Sequence, residues 1–197
     1  MRGKLVGICR NIFVRFFARL AIERTKAIVA KRESQIDFGI LGRSLSCNQL
    51  LPRGFAEFYK CAKFNSANQS GAVLNAQIIN NTRDLDKISD LAYLAKVALI
   101  IDTTLKSDIS LVAEARHYTP FLVIHKDIFI SRYQILESLV YGADCVMLSR
   151  HILGNESLEM LQSYAHHLGL CVAILDSNNR ISISNSANDA NLTIKIR

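Results

Sequence analysis

The sequence predicts a parallel α/β fold, and three observations support this. From residue 72 onward, short continuous apolar runs alternate with segments whose apolar residues recur at helical spacing. The runs are too short for helices, and such uninterrupted runs mark strands covered on both faces. Polar or charged residues stand close behind them, most plainly Lys126-Asp127 after the run FLVI.

The elements can be read in order. AVLNAQII (72–79) is a strand, and DLDKISDLAYLAK (84–96) has the spacing of a helix. VALIID (97–102) is a short apolar run ending in a carboxylate, a buried strand. SDISLVAEARHY (107–118) begins with a Ser-Asp cap and reads as a helix. PFLVIHK (120–126) is a strand, SRYQILESLVYG (131–142) a helix and DCVMLS (144–149) a strand. NESLEMLQSYAHHLG (155–169) is a helix with Asn155 as its cap and Gly169 as its stop. LCVAILD (170–176) and NLTIKIR (191–197) are strands, and the polar stretch SNNRISISNSAND between them has no clear period. Six strands emerge, whereas a full eight-strand barrel takes about 250 residues. With 197 residues, the sheet is either open and doubly wound or a barrel that stops after its sixth strand. No G-x-G-x-x-G follows a strand and no G-x-x-x-x-G-K-[ST] occurs, which removes support for dinucleotide and nucleoside-triphosphate sites.

Half of the residues are apolar and 21% are charged, enough for one sizeable core. The net charge of +7 is not spread over the chain. Residues 1–32 carry nine basic side chains against Glu23 alone, a local +8 that leaves −1 for the remainder. That pattern divides the chain into a basic amphipathic helical extension (1–33) and an α/β domain (34–197). It also argues against nucleic acid as a partner, because no aromatic residues interleave with the charge as a stacking face requires. Arg10, Arg15 and Arg19 interrupt LVGICRNIFVRFFARLAI too often for a membrane span. A helix lying on a membrane surface, an organelle-type presequence and a helix covering one end of the domain all remain open. The five cysteines show no C-x-x-C spacing, Cys145 and Cys171 sit in apolar runs, and a reducing cytoplasm fits best. Neither a metal nor a cofactor is expected. His166 and His167 point about 100° apart on a helix and do not chelate together. They belong to its last turn, where a partly positive imidazole is favoured. His125, beside Lys126, is the other histidine with a chance of touching a ligand.

The stretch KDIFISRYQILESLVYGADCVML (126–148) resembles the third and fourth strands of the indole-3-glycerol phosphate synthase family. There a Lys-Asp pair ends strand three, a Tyr-Gln-Ile helix follows, and Gly-Ala-Asp leads into strand four. The resemblance spans roughly residues 22–197, with ERTKAIVAKRESQ and LPRGFAEFYKCAK similar to the helices that precede the family's barrel. It implies a (β/α)8 TIM-barrel type that is incomplete here, with about six parallel strands. It also implies a cytoplasmic lyase of tryptophan biosynthesis. Such an enzyme closes an indole ring on a carboxyphenylamino deoxyribulose phosphate, releasing carbon dioxide and water.

That chemistry needs a proton donor, a base and a grip on phosphate. Lys126 matches the family's strand-three catalytic lysine, in Ile124-His125-Lys126-Asp127-Ile128 against Leu-Arg-Lys-Asp-Phe. On strand one, Ala-Glu-Ile-Lys-Lys lies on Ala76-Gln77-Ile78-Ile79-Asn80, so Gln77 replaces a catalytic glutamate and Ile79 a catalytic lysine. Gln77 is expected in the same concavity as Lys126, as a substrate ligand. On strand five the family glutamate falls on Leu175, and Asp176 is one residue out of register. At the end, Lys195 stands for the substrate-binding asparagine, and Arg197 keeps the family arginine as a substrate ligand. Strands seven and eight, whose loops hold phosphate in such barrels, lie outside the match. Two uncovered sheet edges would follow, favouring self-association or a completing partner chain. The resemblance therefore implies a synthase-like protein of impaired activity, or alternatively an inactive remnant or scaffold, a pseudoenzyme. An unrelated α/β binding domain is the third reading.

Overall fold

The computed structural model describes residues 2–65, 72–89, 97–104, 108–176, 178–185 and 188–196, with only the backbone described over 2–17, 63–65, 87–89, 184–185 and 188–191. Three helices lead in: α1 (Arg2–Gln35), α2 (Phe38–Ser44) and α3 (Phe55–Asn65). The chain then alternates through β1 (Val73–Ile79), α4 (Thr82–Ser89), β2 (Ala98–Asp102), α5 (Ser110–Tyr118), β3 (Leu122–Lys126), α6 (Arg132–Val140), β4 (Cys145–Ser149), α7 (Asn155–His167) and β5 (Cys171–Leu175). Two strands follow, β6 (Ile181–Asn185) and β7 (Asn188–Ile196).

The seven strands form one closed barrel in sequence order. β1 to β5 run parallel, β6 is antiparallel to both its neighbours, and β7 returns parallel to β1. All six expected strands are present and point the same way. The seventh, β6, lies in the polar stretch that showed no period. It follows β5 through a tight turn at Asn178–Arg180, not a helical crossover. In that turn Asp176 accepts hydrogen bonds from the backbone N–H of Asn178 and Arg180 at 2.8 and 2.9 Å. The expected open edges are therefore corrected: β6 and β7 seal the sheet against β1. Ile181, Ile183, Leu192 and Ile194 are buried with the barrel interior, which is the driving force for that closure.

Alternation along the strands sorts the core into two layers. Inside lie Leu74, Ala76, Ala98, Ile100, Leu122, Ile124, Cys145, Met147, Cys171 and Ala173. Outside, Ile79, Leu99, Ile101, Val123, Val146, Leu148 and Val172 meet the helices. Phe58 and Ala62 of α3 are fully buried against the inner layer and close the barrel's N-terminal end. Val29 of α1 packs with Leu41, Tyr133 and Leu136, and Arg32 pairs with Glu137 of α6 at 2.9 Å. None of the described helices is long and apolar enough to cross a membrane.

The Gly-Ala-Asp turn does its work at the N-terminal end. Gly142 has φ +87°, and a Cβ there would stand 2.9 Å from Arg116 Cγ and Leu50 Cδ1. Asp144 is fully buried and accepts from Val123 N, from Arg53 N and guanidinium, and from Arg116. Arg53 also donates to the carbonyls of Pro120 and Phe121. One carboxylate thus ties the segment before α3, α5 and the starts of β3 and β4 together. Helix boundaries differ from expectation in two places. Gly154, not Asn155, is the N-cap of α7, and Ile109 is the N-cap of α5, with Asp108, two positions before the helix, accepting from the Ser110 amide. Gly169, with φ +81°, stops α7 as its position implied.

Candidate active site

The C-terminal ends of the parallel strands form the barrel mouth, where side chains from several strands converge. Lys126 closes β3 on the inward row of Leu122 and Ile124, and its registered neighbour on β2 is Asp102. Lys126 Nζ donates to Asp102 Oδ2 at 2.5 Å, with the side chains 33% and 16% exposed. Burial pushes the Asp102 carboxyl up. The hydrogen bonds from Lys126 and from the Thr104 amide outweigh it, so the group ends below the usual carboxylate range. Asp127, the next residue, behaves oppositely: burial holds its carboxyl above that range. A cavity of about 250 Å³ opens beside them, lined by Asp102, Lys126, Asp127, Met147, Ser149 and Leu175 among others.

Lys126 stands where its sequence position implied, but Gln77 does not. On β1 the inward row is Leu74, Ala76 and Ile78, while Gln77 pairs in register with outward-facing Leu99 and is exposed. The period of two along a strand puts Gln77 and Lys126 on opposite faces of the barrel wall. Ile79 is buried outside, against the helices. The inner face of β1 therefore carries Ala76 and Ile78, with no ionisable group in either register. Leu175 does lie on the inner row of β5, packed against the interior. Asp176 caps the following turn, as the register argument required. Lys195 is exposed on β7, and Arg197 lies outside the described residues.

His125 is buried in the outer layer, turned away from the mouth. Ser138 Oγ donates to Gln134 O at 2.7 Å, so it accepts from His125 Nδ1–H, also at 2.7 Å. His125 Nε2 is then bare and accepts from Thr103 Oγ1 at 2.9 Å. Burial, followed by the nearby Arg32, lowers this imidazole to about 3. His166 is also lowered, chiefly by burial, so the positive imidazole expected at the end of α7 is not favoured there. Asp102 is the residue that sequence reasoning passed over. Its signal was present: a carboxylate closing an apolar run two elements before Lys126, level with it once the strands pair.

Residues 73–183, β1 to β6, match the family model described as indole-3-glycerol phosphate synthase. The chain belongs to this family. It is 34% identical over 162 residues to the indole-3-glycerol phosphate synthase of Campylobacter curvus (strain 525.92), a match covering 78% of this chain and 62% of that one. The synthase of Campylobacter hominis is 30% identical over 160 residues, covering 76% and 60%. That of Sulfurimonas denitrificans is 27% identical over 162 residues, covering 76% and 60%. The chain thus spans about three-fifths of the length of these synthases. The family's Lys-Asp and Gly-Ala-Asp motifs separate here by role, the first at the mouth and the second at the opposite end.

Proposed function

We propose that this chain is a synthase-like protein of tryptophan biosynthesis, cytoplasmic, whose ring closure on a carboxyphenylamino deoxyribulose phosphate is impaired. Lys126 is its remaining acid. One observation carries the reading: Lys126 reaches the mouth from the inner row, while the inner rows of β1 and β5 offer Ala76, Ile78 and Leu175. A protonated amine held by Asp102 can donate to a carbonyl oxygen as it leaves. The proton removed on ring closure has no matching acceptor on β1 or β5. Losing such a group costs roughly two to three orders of magnitude in rate, and members of one constellation do not fail additively. A phosphorylated substrate also meets a mouth whose lysine is already neutralised.

The test is an indole-fluorescence assay on the purified chain beside Lys126→Ala. The expected result is turnover at least about a hundredfold below a full-length family synthase, lost entirely in the variant. Turnover close to that of the full-length enzyme overturns the reading. A second reading, a remnant or scaffold without activity, is favoured by the same apolar inner rows. Equal, background-level signals from both proteins would select it.

A further inference from the structure

We propose that His125 is a positioning residue for Lys126, acting through the hydroxyl of Thr103 and the turn that aims Asp102 at the lysine. This rests on the reading of Lys126 as the remaining acid and names what orients it. It is particular to this chain, because the family residue matched to His125 is arginine, whose guanidinium has donors and no acceptor.

Asp102 is the last residue of β2, and its two carboxylate oxygens have different partners. Oδ2 accepts from Lys126 Nζ at 2.5 Å. Oδ1 accepts from the Thr104 amide at 3.1 Å and closes a turn whose middle residue is Thr103. That turn sets the direction of Oδ2, so whatever fixes Thr103 fixes the ion pair. Thr103 is 2% exposed and is tied to β3 at two points. Its amide donates to Lys126 O at 3.0 Å, which extends the β2–β3 ladder beyond Asp102. Its Oγ1 lies 2.9 Å from His125 Nε2, which anchors the side chain as well. His125 is itself held from α6 by Ser138 at 2.7 Å, and its ring meets Phe129 edge to face. A line of contacts therefore runs from α6 through β3 to the end of β2.

The direction of these bonds makes a neutral imidazole necessary. Ser138 Oγ donates to Gln134 O, so Nδ1 carries the ring proton and Nε2 is bare. A buried bare nitrogen is costly without a donor, and the Thr103 hydroxyl supplies one. Lys126 O, at 3.4 Å, and the Asp127 carboxylate compete for that hydroxyl, but turning to either strands the imidazole. Of the charged groups acting on the ring, Arg32 disfavours its protonation and Asp102 favours it, and burial dominates both. The pinned pair stays open to substrate. The Lys126 ammonium has three N–H groups and Asp102 takes one, which leaves two for a substrate oxygen.

The experiment compares Thr103→Val and His125→Leu, which remove the bond, with Thr103→Ser and His125→Gln, which keep a hydroxyl and an acceptor. Two NMR signals are read on the full chain: the His125 ring nitrogens, which identify the tautomer, and the Asp102 carboxyl carbon, which follows its titration. The unaltered chain is expected to carry the proton on Nδ1 and to titrate Asp102 below the ordinary carboxylate range. In Thr103→Val and His125→Leu the hydrogen bonds that offset burial loosen, and Asp102 is expected to bind protons at least about threefold more tightly. Thr103→Ser and His125→Gln are expected to stay within about twofold of the unaltered chain. Thermal unfolding is recorded on the same samples, because a purely structural loss lowers the melting temperature without moving Asp102. If His125→Leu does not fold, Thr103→Val decides, since it keeps the shape and removes one oxygen. The proposal is overturned if Nε2 carries the proton, if a folded bond-removing variant leaves Asp102 unmoved, or if the conservative variants move it equally. The ring-closure assay moves separately. Turnover near that of a full-length synthase removes the reading of impaired activity and leaves this one, and an unmoved Asp102 does the reverse.

Discussion

At the scale of single residues, the two motifs that connect this chain to its family have separate physical jobs, and this sets what mutation should do to each. Asp144 is fully buried and serves two guanidinium groups and two backbone amides. Asp144→Ala strands Arg53 and Arg116 without their partner, and breaking a buried pair from one side costs about 3–5 kcal/mol. Urea unfolding is expected to show that loss, whereas Lys126→Ala should cost much less, since its pair is partly exposed. His125 gives a pH-dependent counterpart. Its folded-state value, about 3, lies below the ordinary 6.5. Between those values the unfolded chain takes up a proton that the native chain refuses, so stability falls as pH drops through the window. Asp127 and Glu137 are raised, chiefly by burial, so they oppose this trend. His125→Gln removes the histidine's share. Unfolding free energies measured from pH 6 to 4 are expected to slope less steeply in the variant, by up to about 1.4 kcal/mol per pH unit. Lys126 was legible in the sequence because a charge after an apolar run is a local signal. Arg53 was not, because its partner lies far along the chain and only the fold brings them together.

At the scale of elements, the alternating segments were legible because burial on both faces imposes a continuous apolar run, and packing on a sheet imposes helical spacing. β6 was not. Its residues alternate Ile181, Ser182, Ile183, Ser184, a one-sided pattern on a short polar stretch. The isoleucines acquire meaning only when the strand meets β5 and β7. The register on β1 was misjudged for a related reason. A sequence match fixes residues to within about one position, but one position turns a side chain through the barrel wall. That is how Gln77 came to be expected inside while Ala76 and Ile78 occupy the interior. The inward placement of β6 can be tested at Ile183, which is fully buried. Ile183→Ala is expected to cost about 2–5 kcal/mol, the range for truncating a buried aliphatic side chain. A loss under about 0.5 kcal/mol, the size of a surface substitution, would place β6 outside the core.

At the scale of the whole molecule, the decisive feature is how a barrel of this family closes with seven strands. A sheet that ends on a parallel strand leaves a row of unpaired N–H and C=O groups, and a helical crossover would be needed to add another parallel strand. Here a tight hairpin brings β6 back antiparallel, and β7 turns again to run alongside β1. Val73 lies level with Thr193 and Ala76 with Ile196, and the Thr193 amide donates to Ala72 O at 3.2 Å. Closure makes β1 and β7 interior strands of the ladder, although Thr193 itself is exposed. Exposure of a side chain and protection of its amide are different quantities, and hydrogen exchange separates them. In a closed barrel the Thr193 amide opens only with the cooperative unit that holds β1. Its protection should therefore match that of Cys171, whose amide bonds Asp144 O at 3.0 Å inside the parallel sheet. In an open sheet, Thr193 would exchange as an edge amide, by local fraying and orders of magnitude faster than Cys171. Matching rates across these two amides would show that the hairpin completes the barrel. They would also explain how a chain spanning about three-fifths of its relatives' length can still bury both faces of its sheet.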